Sequence, residues 1–291
     1  MFSQRMGITP AGKMVQVTSM DSDLRNTLWS LLNIYYWEKF DLPKFASGGR
    51  ADHISRSNVW QIFLSLWINY FKKPTDTIPQ LFYDDINTAG GLAQIREFFF
   101  RCKWNQVYDV IELVSEYGSK EDKGTFQHTC NLYLEKENSA YRFINGVIAP
   151  ISSLEEVSEV EEAIRQTQPQ PYDGARQHLQ QALVLLKDRE NPDYRNSIKE
   201  SISAVESVCK QIDKSSAKTL GAALSALEQK GKLHPALKKA FSALYGYSND
   251  ANGIRHALLE ESNLSSAEAR FMLVSCSAFI NYVIVVVANA V

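Results

Sequence analysis

The chain has 291 residues, long for a single core and ample for two domains of about 100–200 residues each. Hydrophobic residues make up 45% and charged residues 22%, which excludes disorder, collagen and coiled-coil rods as descriptions of the whole chain. The formal charge is −2, from 31 basic and 33 acidic residues, so no global basic field exists to hold nucleic acid.

Split near residue 170, the chain carries 17 basic and 21 acidic residues before that point and 14 and 12 after it. The second part is therefore slightly basic, which permits an RNA contact without requiring one. Cys102, Cys130, Cys209 and Cys276 are far apart and form no CxxC, so four reduced thiols are expected, without disulfide or zinc. Met1 to Pro10 holds Arg5 and no apolar run, so a secretory signal is not expected and the expected location is cytoplasmic.

Lys13–Val17 reads as a short extended segment. Asp21 predicts a helix cap with Asp23 in the first turn, and Leu24, Leu28, Leu31 and Tyr35 fall on one helical face. A second helix is expected from about Ser57, with Trp60, Phe63, Leu64, Trp67, Ile68 and Phe71 as a core stripe. Phe98, Phe99, Phe100 and Trp104, then Val107, Val110, Ile111 and Val114, mark further helix. Ala140–Ile151 breaks the pattern and predicts two short strands around Asn145-Gly146, residue types that tolerate the positive φ of a type I′ turn. Lys13–Val17 is the candidate third strand. Ser153 with Glu156 predicts a capping box opening a helix to about Gln166. The prolines of Gln168-Pro169-Gln170-Pro171 end it and read as a linker.

Everything beyond reads as helical. Ala175, Leu179, Ala182, Leu183 and Leu186 form one face. Asp193 caps a helix from Tyr194 to Ile212, in which Ser197, Ser201 and Ala204 make a row small enough for close helix approach. Helices are expected at about 217–230, 235–245 and 253–261, and Ser266 leads the last. Phe271–Val291 has no charge in 21 residues, long enough to span a bilayer, with a tail anchor as the competing reading. Its serines and asparagines, with no following Lys or Arg, favour burial in protein. The fold class expected is mainly α: a helical N-terminal domain, 1–167, with a small two- or three-stranded antiparallel sheet, then an all-α bundle, 168–291.

Two stretches resemble a known family. Phe2-Ser3-Gln4-Arg5-Met6-Gly7, Val15-Gln16-Val17 and Asp23–Trp29 resemble the start of AbiJ-type N-terminal domains of bacterial abortive-infection systems. Asp193–Ile202, Leu244-Tyr245-Gly246-Tyr247-Ser248 and Gly253-Ile254-Arg255-His256-Ala257-Leu258 resemble the HEPN domain fused to them. The resemblance implies a sensing or regulatory N-terminal domain and a helical HEPN bundle that dimerises. It also implies an anti-phage toxin with metal-independent ribonuclease activity, using an Arg-x(4–6)-His motif at the dimer cleft. None of the five histidines, His53, His128, His178, His234 and His256, has an Arg at that spacing. Arg255-His256 stands in its place.

The candidate site therefore centres on Arg255, His256 and Glu200. Arg255 offers hydrogen bonds to phosphate, His256 an imidazole suited to moving a proton on a ribose hydroxyl, and Glu200 a carboxylate to orient either. Arg195, Asn196, Lys199, Tyr247 and Asn252 are the candidate substrate contacts, Tyr247 by stacking and Asn252 by capping the helix start. The bland reading is a capped turn with Arg255 paired to Glu200 inside the bundle. His234 before Pro235 reads as a helix start; His128, Cys130 and His178 carry no expected role. No metal or cofactor is expected. The expected partners are a second copy through the C-terminal domain, RNA such as tRNA or a nucleotide, and a phage or defence-system protein, with no membrane. The competing function is a non-catalytic HEPN module that binds a nucleotide, RNA or a partner protein.

Overall fold

The computed structural model describes residues 13–41, 53–84, 89–168, 170–187, 192–212, 220–250 and 264–288. The chain is mostly helical, with one two-stranded antiparallel sheet, and divides into two compact units, Met1–Ile148 and Ala149–Val291. The expected linker at 168–171 lies inside the second unit, one helix beyond this division.

In the first unit, helix α1 is Ser22–Leu32. Asp21 caps it by accepting a 2.8 Å hydrogen bond from the Leu24 amide, and Leu24, Leu28, Leu31 and Leu32 are buried. A π-turn at Asn33–Trp37 follows, and another, Leu66–Tyr70, follows the short α2, Trp60–Ser65. The extra residue in each turn rotates the face that points inward. In the second turn Trp67 is buried, whereas Ile68, expected in the core stripe, is 46% exposed. Helices α3, Gly91–Arg101, and α4, Trp104–Tyr117, complete an aromatic core. Val107, Val110, Ile111 and Val114 of α4 are fully buried in it.

Helix α5, Lys120–Lys136, leads to strands β1, Arg142–Ile144, and β2, Val147–Ala149. Asn145 and Gly146 join the strands with φ of 48° and 87°, the left-handed pair a type I′ turn requires. Asn131 of α5 acts as a surrogate strand. Its Nδ2 donates to the Phe143 carbonyl at 2.8 Å and its Oδ1 accepts from the Phe143 amide at 2.6 Å. Lys13–Val17 does not add a third strand: it makes one parallel bridge, Gln16 to Ser139. Side chains tie it down instead. The Tyr141 hydroxyl donates to the Val17 carbonyl, and Lys13 Nζ reaches Asp21, Asp23 and Glu137 at 2.9, 2.8 and 2.5 Å.

The second unit holds α6, Leu154–Gln166; α7, Asp173–Lys187; α8, Tyr194–Ile212; α9, Leu220–Gln229; α10, Pro235–Asp250; and α11, Ser266–Ala288. Ser153 accepts from the Glu156 amide at the start of α6. Helix α8 is central and packs most closely on α7 and α11. Its small row is what allows this. Ser197, Ser201 and Ala204 are fully buried, and Ser197 Oγ donates across to the Ala182 carbonyl at 2.8 Å. The helix expected at 253–261 lies outside the described residues.

Helix α11 is long and apolar enough to cross a membrane, yet only 44% of its apolar window is buried. One face, with Met272, Leu273, Cys276, Phe279, Ile280 and Val283, packs into the unit, and Asn281 Nδ2 donates to the Glu159 carbonyl of α6 at 3.0 Å. The opposite face leaves Phe271, Tyr282 and Val285 exposed, so burial is one-sided rather than complete.

Candidate functional site

The α7–α8 seam brings the described candidate residues into view. The helices run antiparallel, with Gly174 facing Ser207 at one end and Ala182 facing Ser197 at the other. Between these anchors, His178 Nδ1 lies 2.6 Å from Glu200 Oε2. With the carboxylate ionised, Nδ1 carries the proton and donates it, which leaves Nε2 as the second ring nitrogen. The pair is partly open to water, with side-chain exposures of 40% and 23%.

Glu200 therefore has a histidine partner, but it is His178, a residue outside the expected site. The register held the signal. Gly174 and Ala182 on one helix and Ser197, Ser201 and Ala204 on the other allow close approach, and aligning these small residues sets His178 opposite Glu200.

The flanking candidates have separate tasks. Asn196 belongs to the α8 cap: its amide donates to Asp193 Oδ1 at 3.0 Å and its Nδ2 to Asp193 Oδ2 at 2.5 Å. Arg195 is half-buried on the first turn of α8, and Lys199 is exposed one turn on. Tyr247 lies on α10, 39% exposed; burial, then the Glu268 carboxylate of α11, pushes its hydroxyl above the ordinary tyrosine value. Arg255, His256 and Asn252 lie outside the described residues.

The other sequence candidates resolve simply. His234 Nδ1 accepts from the Ala236 amide at the start of α10, as a helix-start residue does. His128 is exposed while Cys130, two residues on, is fully buried, so the two sides of α5 keep them apart. Burial pushes the Cys209 and Cys276 thiols up to about 12, which leaves them as inert packing groups. Among the described residues, the one carboxylate group close enough to share a cation is Asp21, Asp23 and Glu137, and Lys13 already fills it.

Comparison with known families matches residues 1–166 to AbiJ N-terminal domain 4. No curated protein matches the chain, and no solved structure does.

Proposed function

The chain belongs to the AbiJ N-terminal domain 4 family and is a defence-associated protein of the abortive-infection type, and from that premise we propose that its C-terminal part is a HEPN-type toxin with metal-independent ribonuclease activity. The proposed division of labour is a sensing or regulatory domain at 1–167 and an effector bundle at 168–291, working in the cytoplasm.

The observation that carries the reading is the hydrogen bond between His178 and Glu200. A carboxylate that fixes an imidazole's tautomer and direction leaves the other nitrogen ready to exchange a proton. Cleavage of RNA by its own 2′-hydroxyl needs a proton acceptor, a proton donor and hydrogen-bond donors for the developing charge on phosphorus. In this proposal His256 moves the proton, Arg255 holds the phosphate, and His178 is the second imidazole, oriented by Glu200. Arg195, Lys199, Tyr247 and Asn252 serve the RNA around them, and Asn196 supports the α8 cap. The exposed face of α11 is proposed to receive a second copy of the chain.

One sequence observation favours a second reading. Without the Arg-x(4–6)-His spacing, the same residues suit a module that binds RNA, a nucleotide or a partner protein without cutting. Incubating purified protein with total RNA or tRNA in EDTA separates the two. Cleavage that is lost in Arg255→Ala and in His256→Ala supports the toxin. Equal cleavage in all three proteins removes those residues from the site, and no cleavage by wild type supports the binding module.

A further inference from the structure

The first unit contains a cavity of about 370 Å³ that the proposed effector chemistry does not use. It opens between the turn Thr75–Thr77, the segment 78–84 and the start of α3, and its walls include Pro79, Gln80, Leu81 and Gln94. This volume is at the small end of the range for small-molecule sites, about 300–1,000 Å³.

The rim is preformed. The Gln80 carbonyl accepts from the Ile54 amide at 3.0 Å, while the Leu81 and Phe82 carbonyls accept from the Gly91 and Leu92 amides at 2.8 and 2.9 Å. A Cβ at Gly90 would come within 2.3 Å of the Tyr83 carbonyl, so only glycine lets α3 approach so closely. Phe82 and Ile78 are buried next to the walls and anchor the segment to the core.

Charge narrows the ligand. No charged side chain lines the cavity among the described residues. The first amides of α3 hold no anion either, because Gly90 donates to Asp84 Oδ1 and the next two amides are spent on the rim. The Thr77 hydroxyl is also spent, donating to the Pro74 carbonyl and accepting from the Trp67 indole. What remains is amide chemistry. The Gln80 carboxamide makes no hydrogen bond within the described protein. Gln94 uses one N–H on the Ala89 carbonyl and keeps its Oε1.

The geometry points to a binding site for a neutral adenine nucleoside. A glutamine carboxamide matches the donor–acceptor edge of adenine in a bidentate pair. Gln80 supplies that pair, Gln94 Oε1 accepts from the base or the ribose, and Pro79 and Leu81 provide apolar faces for the ring. A phosphorylated nucleotide meets no cation there and stands close to the Asp84 carboxylate. The ligand of this unit is thus the uncharged nucleoside.

Calorimetry and saturation-transfer NMR on the full chain, without RNA, test this with adenosine, AMP, uridine and ribose as probes. Adenosine should bind, AMP and uridine more weakly, and ribose not at all. Gln80→Leu should weaken adenosine by about tenfold, the loss of one bidentate base contact, and Gln94→Leu should weaken it by less. Gln80 is exposed, so the melting temperature of its variant should not move. Failure of adenosine to bind overturns the assignment. So does equal binding of uridine or ribose, or undiminished binding to a correctly folded Gln80→Leu protein. RNA cleavage plays no part in these readouts, so the proposed ribonuclease stands or falls separately.

Discussion

His178 on α7 and Glu200 on α8 meet through a 2.6 Å hydrogen bond midway between two places where small residues bring the helices together. The backbone, rather than either side chain, sets that distance. Substitutions can therefore remove the chemistry while leaving the packing in place.

For the ribonuclease reading, His178→Ala should lower cleavage by about 10²-fold, the low end of what a positioned proton-transfer group contributes. Glu200→Gln keeps the shape but loses the charge, so its loss should be smaller. The pair is partly solvated, and each variant should lose less than about 1 kcal/mol of stability. Single-turnover cleavage and urea melts, run side by side, separate catalysis from folding. A stability loss that accounts for the whole activity loss would show the pair to be purely structural.

Asn131→Leu should cost about 2–4 kcal/mol in the first unit. It leaves both the amide and the carbonyl of buried Phe143 without their partner, and each unsatisfied group costs roughly 1–3 kcal/mol, partly offset by the added apolar contact. Denaturant unfolding followed by tryptophan fluorescence reads this directly, because all five tryptophans lie in this unit.

Acid should loosen the N-terminal segment before it unfolds the helices. Burial pushes the Asp21 carboxyl up, but the Leu24 amide and the Lys13 ammonium outweigh that and hold it below the ordinary value. A depressed carboxyl adds stability above its unfolded pKa and loses it as pH falls through the folded one, so the loss should fall below about pH 4. Burial lowers the Lys13 ammonium, while the carboxylates of Asp23, Glu137 and Asp21 together raise it above the ordinary value. Its contribution therefore persists up to its unfolded pKa and fades only as pH rises through the higher folded value. Lys13→Met should cost about 1 kcal/mol at low salt and less at high salt, since the ammonium is partly exposed. Proteolysis between Lys13 and Asp21 as a function of pH and salt checks all three expectations.

Phe271→Glu with Val285→Glu should convert a dimer into a monomer without unfolding the second unit. Both side chains are about half exposed in one chain, and charges on that face cost nothing in a monomer but are buried if a second copy covers it. Light scattering at micromolar concentration, before and after the substitutions, gives the answer. A wild-type protein that is monomeric throughout would refute the proposed dimer.

Local chemistry was the legible part of the sequence. Asp21, Ser153 and Asp193 cap the helices they precede, Asn145-Gly146 makes the turn its φ preferences dictate, and the Ser197–Ser201–Ala204 row lies where two helices close up. What depends on non-local register was not legible. Gln16 makes a single bridge, its amide donating to the Asn138 carbonyl and its carbonyl accepting from the Ala140 amide, because side chains, not a strand ladder, hold its segment. His178 finds its partner, Glu200, 22 residues away on another helix. The cavity beside Gln80 is made by Gly90 closing on Tyr83, an approach that no spacing rule announces.

The two π-turns make the first unit tolerant of length at two points that composition does not reveal. Each holds one residue more than an α-turn, and Ile34 and Ile68, both about half exposed, lie within them. Deleting Ile34 would remove no core side chain and would let the helix run on with ordinary α-periodicity. The i to i+5 relationship of the π-turn would become the i to i+4 relationship of an α-turn, so Tyr36 and Trp37 would keep facing the interior they now fill. The same deletion inside α1 has no extra residue to absorb it and would turn everything beyond it by about 100°, so in this unit the harm done by a one-residue gap depends on whether it falls in a π-turn.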